Sequence, residues 1–441
     1  MSKKLIALLL VLVMTVSMTA CGSKQAENKA PETQADGSKV PVTLRYYNYA
    51  LSETDKAAWW EQVIADFEAK YDWITVEPIV VDYNSMITTL TNDLASGLSA
   101  DIIYGEVSWV PSLVDGGFIQ KPEDVLSQDF YQGYDPDTMD CFRYLDGIYG
   151  VPHYMSNTII FVNQDLIENA GLKMEDFPDT LDGLKAWIET LGAYYKNDSS
   201  ISTIFGIPTA EVPAAGAQIN SMYTAFGGIL LSEDGTLADL QSEPNKTAMI
   251  ETLDLCKYLI GNGYTQENQK PKDYRAAFGA GNVCMYIDQP WGFAMIDKTN
   301  PDAKNFTVSA AIPTTMGTNG KGNTLVSANC FLLGADMNAG KKEAVDLFLQ
   351  YVTSNEVTGY YINNLGLAFP AHACMADCQI SPILEGASKG IHQTVKQPML
   401  PSIISVQTQL ASSVLNYTIN GMSAEDTIAD YIHQAEYYIN Q

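Results

Sequence analysis

Aromatic side chains occur together with carboxylate or amide side chains at the ends of three predicted strands. The pairs are Tyr47 with Asn48, Glu106 with Trp109, and Asp288 with Trp291. A flat ring can cover the apolar face of a small ligand, and a fixed carboxylate or amide can hydrogen-bond its edge. Small-molecule sites combine aromatic walls with a few placed polar groups in this way. The three pairs therefore predict a binding site for a small polar ligand.

The sequence contains none of the common catalytic or phosphate-binding motifs. There is no GxSxG, no HExxH and no Walker-type phosphate loop, so no catalytic residue and no cofactor is predicted. His372, Cys374 and Cys378 form one short cluster, but a zinc site needs further ligands. A small disulfide or two thiols are therefore favoured over a metal. Because carboxylates are plentiful, a glycosidase that uses two of them stays open as an alternative, which turnover of oligosaccharides would reveal.

Strand and helix patterns alternate along the first part of the chain. The runs 42–49, 74–81 and 101–104 have the composition of strands, and helical patterns separate them. This alternation predicts a parallel sheet with helices on its faces, whose ligands bind beyond the carboxyl ends of the strands. The segment 149–172 then leads through a polar loop into a β-branched run. We interpret it as a crossing between two lobes, with an ordinary loop before an ordinary strand as the alternative.

Length and charge limit the class of protein. The chain has 441 residues, which is enough for two or three domains. Its formal net charge is −27, whereas proteins that bind nucleic acid carry a basic face. The charge therefore argues against nucleic acid as a partner, and it also disfavours anionic ligands.

The first twenty residues have the composition of a targeting signal. Lys3 and Lys4 precede an apolar run, Leu5 to Val13, that is too short to span a membrane. The sequence from Met18 to Cys21 resembles the bacterial lipobox, in which the cysteine becomes the lipid-bearing N-terminus. We expect a lipoprotein signal peptide over 1–20, lipid on Cys21 and a flexible tether over 21–40. A plain secretory signal, with Cys21 incidental, is the alternative.

Five stretches, taken in order, carry a resemblance to a known family. They are FEAKYDWITV (67–76), LASGLSADII (94–103), YGVP with FVNQDLIENAGL (149–172), FGAGNVCMYIDQPW (278–291), and KEAVDLFLQYVT with GLAFP (342–353 and 366–370). The chain resembles an extracytoplasmic solute-binding protein of a bacterial ABC importer, in the carbohydrate-binding family that includes maltose-binding protein.

The resemblance implies a fold and a role. It implies a two-lobed α/β fold of the type II periplasmic-binding-protein kind, each lobe a mostly parallel sheet flanked by helices, with the ligand in the cleft between them. We expect lobe 1 at 41–151 and 307–366, and lobe 2 at 152–306 and 367–441, with residues 308–312 as a strand returning to lobe 1. The implied protein is a monomeric, non-enzymatic receptor on the outer face of the cytoplasmic membrane. It would close around its ligand by a hinge motion and deliver it to the transmembrane subunits of an ABC permease.

The resemblance also assigns residues to the cleft. Carried over by position, the predicted ligand-binding residues are Tyr47, Asn48, Glu106, Ser108, Trp109, Tyr154, Ser156 and Trp291. Asp288 and Asn329 are predicted with them, because their carboxylate and amide groups could bond the hydroxyl edge of a sugar. Where maltose-binding protein has charged residues after its first and third strands, this chain has mostly aromatic, amide and hydroxyl side chains. The rings would cover the C–H faces of a sugar and the polar groups would bond its hydroxyls. The alternative ligands are a polyamine, a polyol or a peptide, since cations also bind over aromatic faces.

Overall fold

The fold is built from two β-sheets with helices packed around each. The computed structural model describes residues 39–53, 56–134, 136–232, 235–371, 379–396 and 398–440. The predicted signal, most of the predicted tether, Cys21, and the cluster at 372–378 lie outside these ranges. Among the residues within them, no helix is both long enough and apolar enough to cross a membrane.

The strands of the described residues are numbered in chain order. They are β1 (Val42–Asn48), β2 (Ile74–Ile79), β3 (Ile102–Glu106), β4 (Ile119–Gln120), β5 (Arg143–Tyr144), β6 (Gly147–Ile148), β7 (Val151–Asn157), β8 (Ile159–Asn163), β9 (Thr203–Gly206), β10 (Val283–Asp288), β11 (Thr307–Ala310), β12 (Thr324–Gly334), β13 (Phe369–Pro370) and β14 (Thr394–Val395).

The α-helices are numbered in the same way. They are α1 (Ala57–Lys70), α2 (Tyr83–Ala95), α3 (Val110–Asp115), α4 (Pro136–Asp140), α5 (Gln164–Asn169), α6 (Leu181–Tyr194), α7 (Pro213–Ala225), α8 (Asn245–Gly261), α9 (Pro271–Gly279), α10 (Gly292–Thr299), α11 (Ala339–Val352), α12 (Asn355–Asn364), α13 (Ile403–Thr418) and α14 (Ala424–Ile439). Short 3-10 turns at Tyr49–Ser52 and Val107–Trp109 directly follow β1 and β3.

Both sheets are mixed rather than mostly parallel, which corrects that part of the prediction. The first has the order β13-β7-β12-β3-β1-β2, with β4 and β14 also on β12, and the second has the order β11-β8-β10-β9. Strand β1 is parallel to β2 and β3, whereas β12 is antiparallel to β3 and β7. In the second sheet, β8 is antiparallel to β10 and β11. The reason is that β8 and β12 carry the chain from one lobe into the other, so they run against the strands that end at the cleft.

The crossings between the sheets lie later in the chain than the sequence predicted. Strand β7 pairs with β12 in the first sheet, so the first crossing is at Thr158 and not at residue 151. Strand β11, expected to return to the first lobe, pairs with β8 in the second sheet, and the chain returns with β12. Strand β13 also pairs with β7, so the crossing expected at 366–367 comes after Pro370. Strands β7 and β8 form one extended buried run with a single residue between them, and no turn marks the boundary.

Two apolar clusters support the sheets, and the first of them also reaches one face of the second sheet through Phe161 and Tyr286. One apolar stripe of α1 is buried: Trp60, Val63, Ile64 and Phe67 recur at helical spacing and pack into the core of the first lobe. In the second lobe, α6, α7, α8 and α13 cover one face of the four-stranded sheet. Thr180 is the N-cap of α6, because its side chain accepts a hydrogen bond from Gly183 N. These two cores fix the sheet edges on which the candidate site lies.

Candidate ligand-binding site

Strands β1 and β3 end at the same edge of the first sheet, as the sequence predicted. Asn48 is opposite Tyr104 in the register of the two parallel strands. The Asn48 side chain accepts a hydrogen bond from Ala50 N at 2.9 Å and so caps the 3-10 turn that carries Tyr49. After β3, Gly105 leaves room for Trp109, because a Cβ at residue 105 would lie 2.8 Å from Trp109 Cε3. The two turns thereby bring Tyr49 and Trp109 together.

Three aromatic rings form one cluster at this edge. The Tyr49 ring centroid is 5.2 Å from that of Tyr83, the first residue of α2, and 6.1 Å from that of Trp109. Tyr83 and Trp109 are 6.3 Å apart with planes tilted by 34°. Tyr49 and Trp109 are buried, whereas Tyr83 is 43% exposed. Tyr83 therefore presents the accessible aromatic surface of the cluster, and the other two rings support it.

Glu106 is the carboxylate of this aromatic cluster. It is partly buried, the Tyr83 hydroxyl hydrogen-bonds to it, and Ser108 Oγ donates to its Oε2 at 3.4 Å. Burial raises the pKa of Glu106, the Tyr83 and Ser108 hydrogen bonds lower it, and the charge of Glu53 raises it. None of the salt bridges given for the described residues includes Glu106. A carboxylate in this state can accept hydrogen bonds from ligand hydroxyls.

Asn329 holds two phenols beside Glu106. It is opposite Glu106 in the register of β12 and β3. Its Oδ1 accepts a hydrogen bond from the Tyr154 hydroxyl at 2.7 Å, and its Nδ2 donates to the Tyr49 hydroxyl. The Tyr154 ring in turn stacks on Tyr361, with centroids 5.6 Å apart and planes 20° apart. The Asn329 amide is thus occupied on both sides, and its role is to orient Tyr49 and Tyr154.

A buried histidine lies behind the phenols that Asn329 orients. His153 Nδ1 lies 2.9 Å from the Tyr104 hydroxyl. Its neighbours in contact distance are rings, including those of Trp60, Phe331 and Tyr361. Burial lowers the pKa of His153 to about 3. This histidine is therefore neutral at physiological pH, and it packs among these rings without adding charge to the site.

A second group of polar residues surrounds the end of β10. Asp288 is fully buried and receives hydrogen bonds from Arg275 Nε (2.7 Å), Arg275 Nη2 (2.8 Å), Gln218 Nε2 (3.1 Å), the Tyr286 hydroxyl (3.3 Å) and Gln289 N (2.8 Å). The Arg275 guanidinium carbon lies 4.5 Å from the ring centroid of Trp291. Trp291 is partly exposed and immediately precedes α10. The second lobe therefore presents an indole held over an ion pair.

One hydrogen bond joins the two groups across the sheets. Ser156 Oγ, on β7 of the first sheet, donates to Gln289 Oε1 at 2.7 Å, and Gln289 Nε2 donates to Thr158 Oγ1 at 3.3 Å. Tyr154 and Ser156 are two residues apart on the same strand, so their side chains lie on the same face. The aromatic cluster of the first lobe and the β10 group of the second lobe are therefore neighbours at the cleft.

Comparison with known proteins places this geometry in a family. A family model described as bacterial extracellular solute-binding protein matches residues 62–382, which is well over half of the chain. The chain belongs to the bacterial extracellular solute-binding proteins. The resemblance drawn from the sequence is confirmed, and so is the two-lobed α/β fold.

Relatives cover most of this solute-binding protein. It is 27% identical over 374 residues to a binding protein of Brucella abortus, covering 80% of this chain and 86% of that one. It is 22% identical over 411 residues to the diacetylchitobiose binding protein DasA of Streptomyces coelicolor, covering 92% and 91%. Among solved structures, the cyclic alpha-maltosyl-1,6-maltose binding protein from Arthrobacter globiformis matches with a TM-score of 0.76 at 17% identity, covering 90% of this chain and 99% of that one.

The structure brings most of the predicted site residues together, with different roles. Glu106, Ser108, Trp109, Tyr154 and Asn329 lie in or beside the aromatic cluster, and Ser156, Asp288 and Trp291 belong to the group around β10. Asn48 is fully buried, and its side chain is used within the chain, with Ala50 N and the Tyr46 hydroxyl as partners. Tyr47 lies outside both groups. Its hydroxyl donates to Asp93 at 2.9 Å, about 15 Å along α2 from Tyr83.

Sequence reasoning missed several residues of this solute-binding protein's cleft. Tyr83 opens a helix, and no strand-end pattern indicates it. Arg275 lies on α9, thirteen residues before the aspartate it binds. Gln289 could have been predicted, since it lies between Asp288 and Trp291 in a segment that carries the family resemblance.

The described part of the chain contains no group of three or more His, Cys, Asp or Glu side chains placed to hold a metal ion. Cys256, Cys284 and Cys330 are buried and free. Burial raises the pKa of the Cys256 and Cys284 thiols to about 12 in each case. These thiols act as small apolar core residues. Cys374 and Cys378 lie outside the described residues.

Proposed function

We propose that this chain is a lipid-anchored extracytoplasmic receptor that binds a carbohydrate by lobe closure and delivers it to an ABC-type importer. The observation that carries the proposal is the pairing of a free carboxylate among aromatic rings on one lobe with a partly exposed indole on the other. Sugars have apolar C–H faces and hydroxyl edges, and this combination of side chains matches both. The names of two relatives, a diacetylchitobiose binding protein and a galactooligosaccharide-binding protein, support an oligosaccharide.

The charges of the two groups favour a neutral sugar. Glu106 has Glu53 nearby, and that charge acts against its ionisation. Arg275 is the cation of the β10 group, and Asp288 neutralises it at 2.7 Å. Lys56 is already paired with Glu53, as Arg275 is with Asp288. Among the described residues of the two groups, a uronate or a phosphorylated sugar would therefore add a negative charge beside Glu106 without an unpaired cation to bind.

Closure follows from differential affinity. A ligand shifts a hinged protein towards the closed form only to the extent that it binds that form better. Here the ligand would contact Glu106 and Tyr83 on one lobe and Trp291 on the other, so contacts to both are complete only when the lobes are closed. The closed, loaded monomer is then the form that the permease recognises, and lipid on Cys21 keeps it at the outer face of the cytoplasmic membrane.

Ligand screening tests the proposal directly. The full-length protein is screened by thermal shift against neutral mono- and oligosaccharides, uronates, polyols, peptides and polyamines, and the best hit is measured by calorimetry. We expect stoichiometric binding of a neutral saccharide, with no new products by chromatography. Trp291→Ala should weaken that binding at least about tenfold, or 1.4 kcal/mol, because the stacking surface is lost. Trp73→Ala, which changes a tryptophan beside Lys39 and outside both groups, is the control.

Other results of the screen would replace the proposal. A polyamine is the second candidate, since a carboxylate among three rings can also hold a cation, and tight polyamine binding without sugar binding would establish it. Product formation would indicate a glycosidase. The anchor is tested separately by mass spectrometry of the membrane-bound protein and by Cys21→Ser, which should release it from the membrane.

A further inference from the structure

Asp288 has no capacity left for a ligand. An ionised carboxylate offers about four lone-pair positions, and five donors already converge on this one at 2.7 to 3.3 Å. The side chain is also fully buried. Asp288, which the sequence placed at the sugar edge, therefore acts inside the second lobe, and its main partner there is Arg275.

Arg275 is fixed by this carboxylate and lies against the indole. Two of its nitrogens bind Asp288 in a forked arrangement, and Nη1 lies 3.1 Å from Met295 Sδ. Its guanidinium carbon is 4.5 Å from the Trp291 ring centroid, within the distance at which an arginine attracts an aromatic face. A planar cation held at both ends leaves the neighbouring indole little freedom to turn.

Gly292 makes the room for this arrangement. A Cβ on residue 292 would collide with Asp288 Oδ2 and would lie 2.8 Å from Arg275 Nε. Gly292 is also the first residue of α10 and follows Trp291 directly. The backbone that carries the indole is thereby packed directly onto the ion pair.

We infer that Arg275 is a positioning residue that fixes the Trp291 indole in its ligand-ready orientation, with Asp288 as its anchor. Arg275 covers one face of the ring and leaves the other for the sugar. Because the indole is already ordered, less rotamer freedom is lost when the ligand binds, which strengthens binding. The part of this inference that concerns affinity rests on the proposed function, and the part that concerns the orientation of Trp291 does not.

A ligand-free measurement tests the orientation. Acrylamide quenching of Trp291 is obtained as the difference between a protein that has Trp291 and the same protein with Trp291→Phe. Arg275→Lys keeps the charge but removes the fork and the planar contact, so we expect Trp291 to be quenched at least about twofold more readily. Unchanged quenching would overturn the inference, whatever the ligand proves to be.

An affinity cycle tests the consequence with the saccharide identified by the screen. Arg275→Lys should weaken binding about tenfold when Trp291 is present and less than about twofold in the Trp291→Phe background, since coupled residues are non-additive. Equal losses in the two backgrounds would contradict the inference. If no saccharide binds the unaltered protein, the proposed function fails while the quenching result still decides the role of Arg275.

Two further variants separate positioning from loss of folding. The double variant Arg275→Gln/Asp288→Asn leaves no unpaired charge, and Gly292→Ala displaces the pair without changing its charges; circular dichroism checks that each is folded. Both should increase the quenching of Trp291. The matched control is Lys341→Gln/Asp101→Asn, which neutralises another salt bridge with a fully buried aspartate, at 2.8 Å in the first lobe, and should leave quenching unchanged. Equal increases in control and test variants would overturn the inference.

Discussion

The cleft has one wall on each lobe: the aromatic cluster with Glu106 and Asn329 on the first, and the group around β10 on the second. The side chains of both walls are held in fixed positions, but by different interactions. The first wall is ordered by uncharged hydrogen bonds, in which Asn329 joins the hydroxyls of Tyr49 and Tyr154. Within the described ranges, the Glu106 carboxylate is in none of the salt bridges. The second wall is ordered by the ion pair of Arg275 and Asp288 beneath one indole. In the first wall the carboxylate is the group that we propose for the ligand, and in the second it holds Arg275 in place.

The difference follows from what each strand end has beside it. Glu106 ends β3, where its neighbours Tyr83 and Ser108 are hydroxyl donors and Glu53 is a like charge. Asp288 ends β10, where α9 brings Arg275 into contact with it. The internal partners of Glu106 are neutral hydroxyls, whereas that of Asp288 is the Arg275 cation, and this difference in partner decides which carboxylate we propose for the ligand.

The largest expected effect is on stability and distinguishes the two walls. Asp288→Ala leaves the Arg275 guanidinium buried and unpaired, which typically costs about 3–5 kcal/mol. Asn329→Ala leaves two phenol hydroxyls without their partner, which typically costs about 1–3 kcal/mol. Urea unfolding followed by circular dichroism at pH 7 should rank the variants in that order. Equal or reversed losses would show that the ion pair does not order its wall more strongly than the amide does.

A smaller effect, with a definite pH dependence, is expected at the free carboxylate. Burial raises the pKa of Glu106 in the folded protein. Below its unfolded pKa, the group is protonated in both states, and its contribution to stability is full. As the pH rises through the higher folded pKa, that contribution is lost by about 1.4 kcal/mol for each unit of difference. Glu106→Gln lacks this titration, so it should gain stability over the unaltered protein as the pH rises from 4 to 8.

Urea unfolding at several pH values measures this gain. A stability difference that is independent of pH, or that grows towards acid, would contradict it. The same variant should bind the saccharide about ten- to a hundredfold more weakly at pH 7, because hydrogen bonds to a charged acceptor are worth about 1.5–3 kcal/mol. A variant that is more stable but binds less well is the pattern expected when a strained group serves binding.

Much of this organisation could be predicted from the sequence, because it depends on local patterns. The apolar stripe of α1, the shared edge of β1 and β3, and the aromatic residue after β10 all follow from periodicity and strand ends. The order of five short stretches was enough to indicate the family and its two-lobed fold. The lobe boundaries were wrong because β7 and β8 are one extended run, and only the pairing partner decides which sheet each strand joins.

The roles of individual polar residues depend on contacts that are distant in sequence. Asn48 and Asp288 are of residue types that often bind ligands, but their side chains hydrogen-bond to other groups of the chain. The sequence around Asp288 does not predict its contact with Arg275. The sequence around Asn329 likewise does not predict its hydrogen bonds to Tyr49 and Tyr154. Residue type identified the walls of the cleft, and only the packing of α2 and α9 determined which groups stay free.

The smallest expected effect tests whether Tyr83 adjusts the free carboxylate. Its hydroxyl stabilises the ionised form of Glu106, so Tyr83→Phe should raise the pKa of Glu106 further and shift the pH-dependent loss of stability to higher pH. The change should amount to under about 1 kcal/mol at pH 7, the usual scale of one hydrogen bond. Tyr360→Phe, at an exposed tyrosine on α12, is the matched control. In the Glu106→Gln background the shift should vanish, because the titrating group is gone. A shift that persists there, or a shift towards lower pH, would mean that Tyr83 acts on another group. The Tyr83 hydroxyl would then not be one of the uncharged partners that distinguish Glu106 from the ion-paired Asp288.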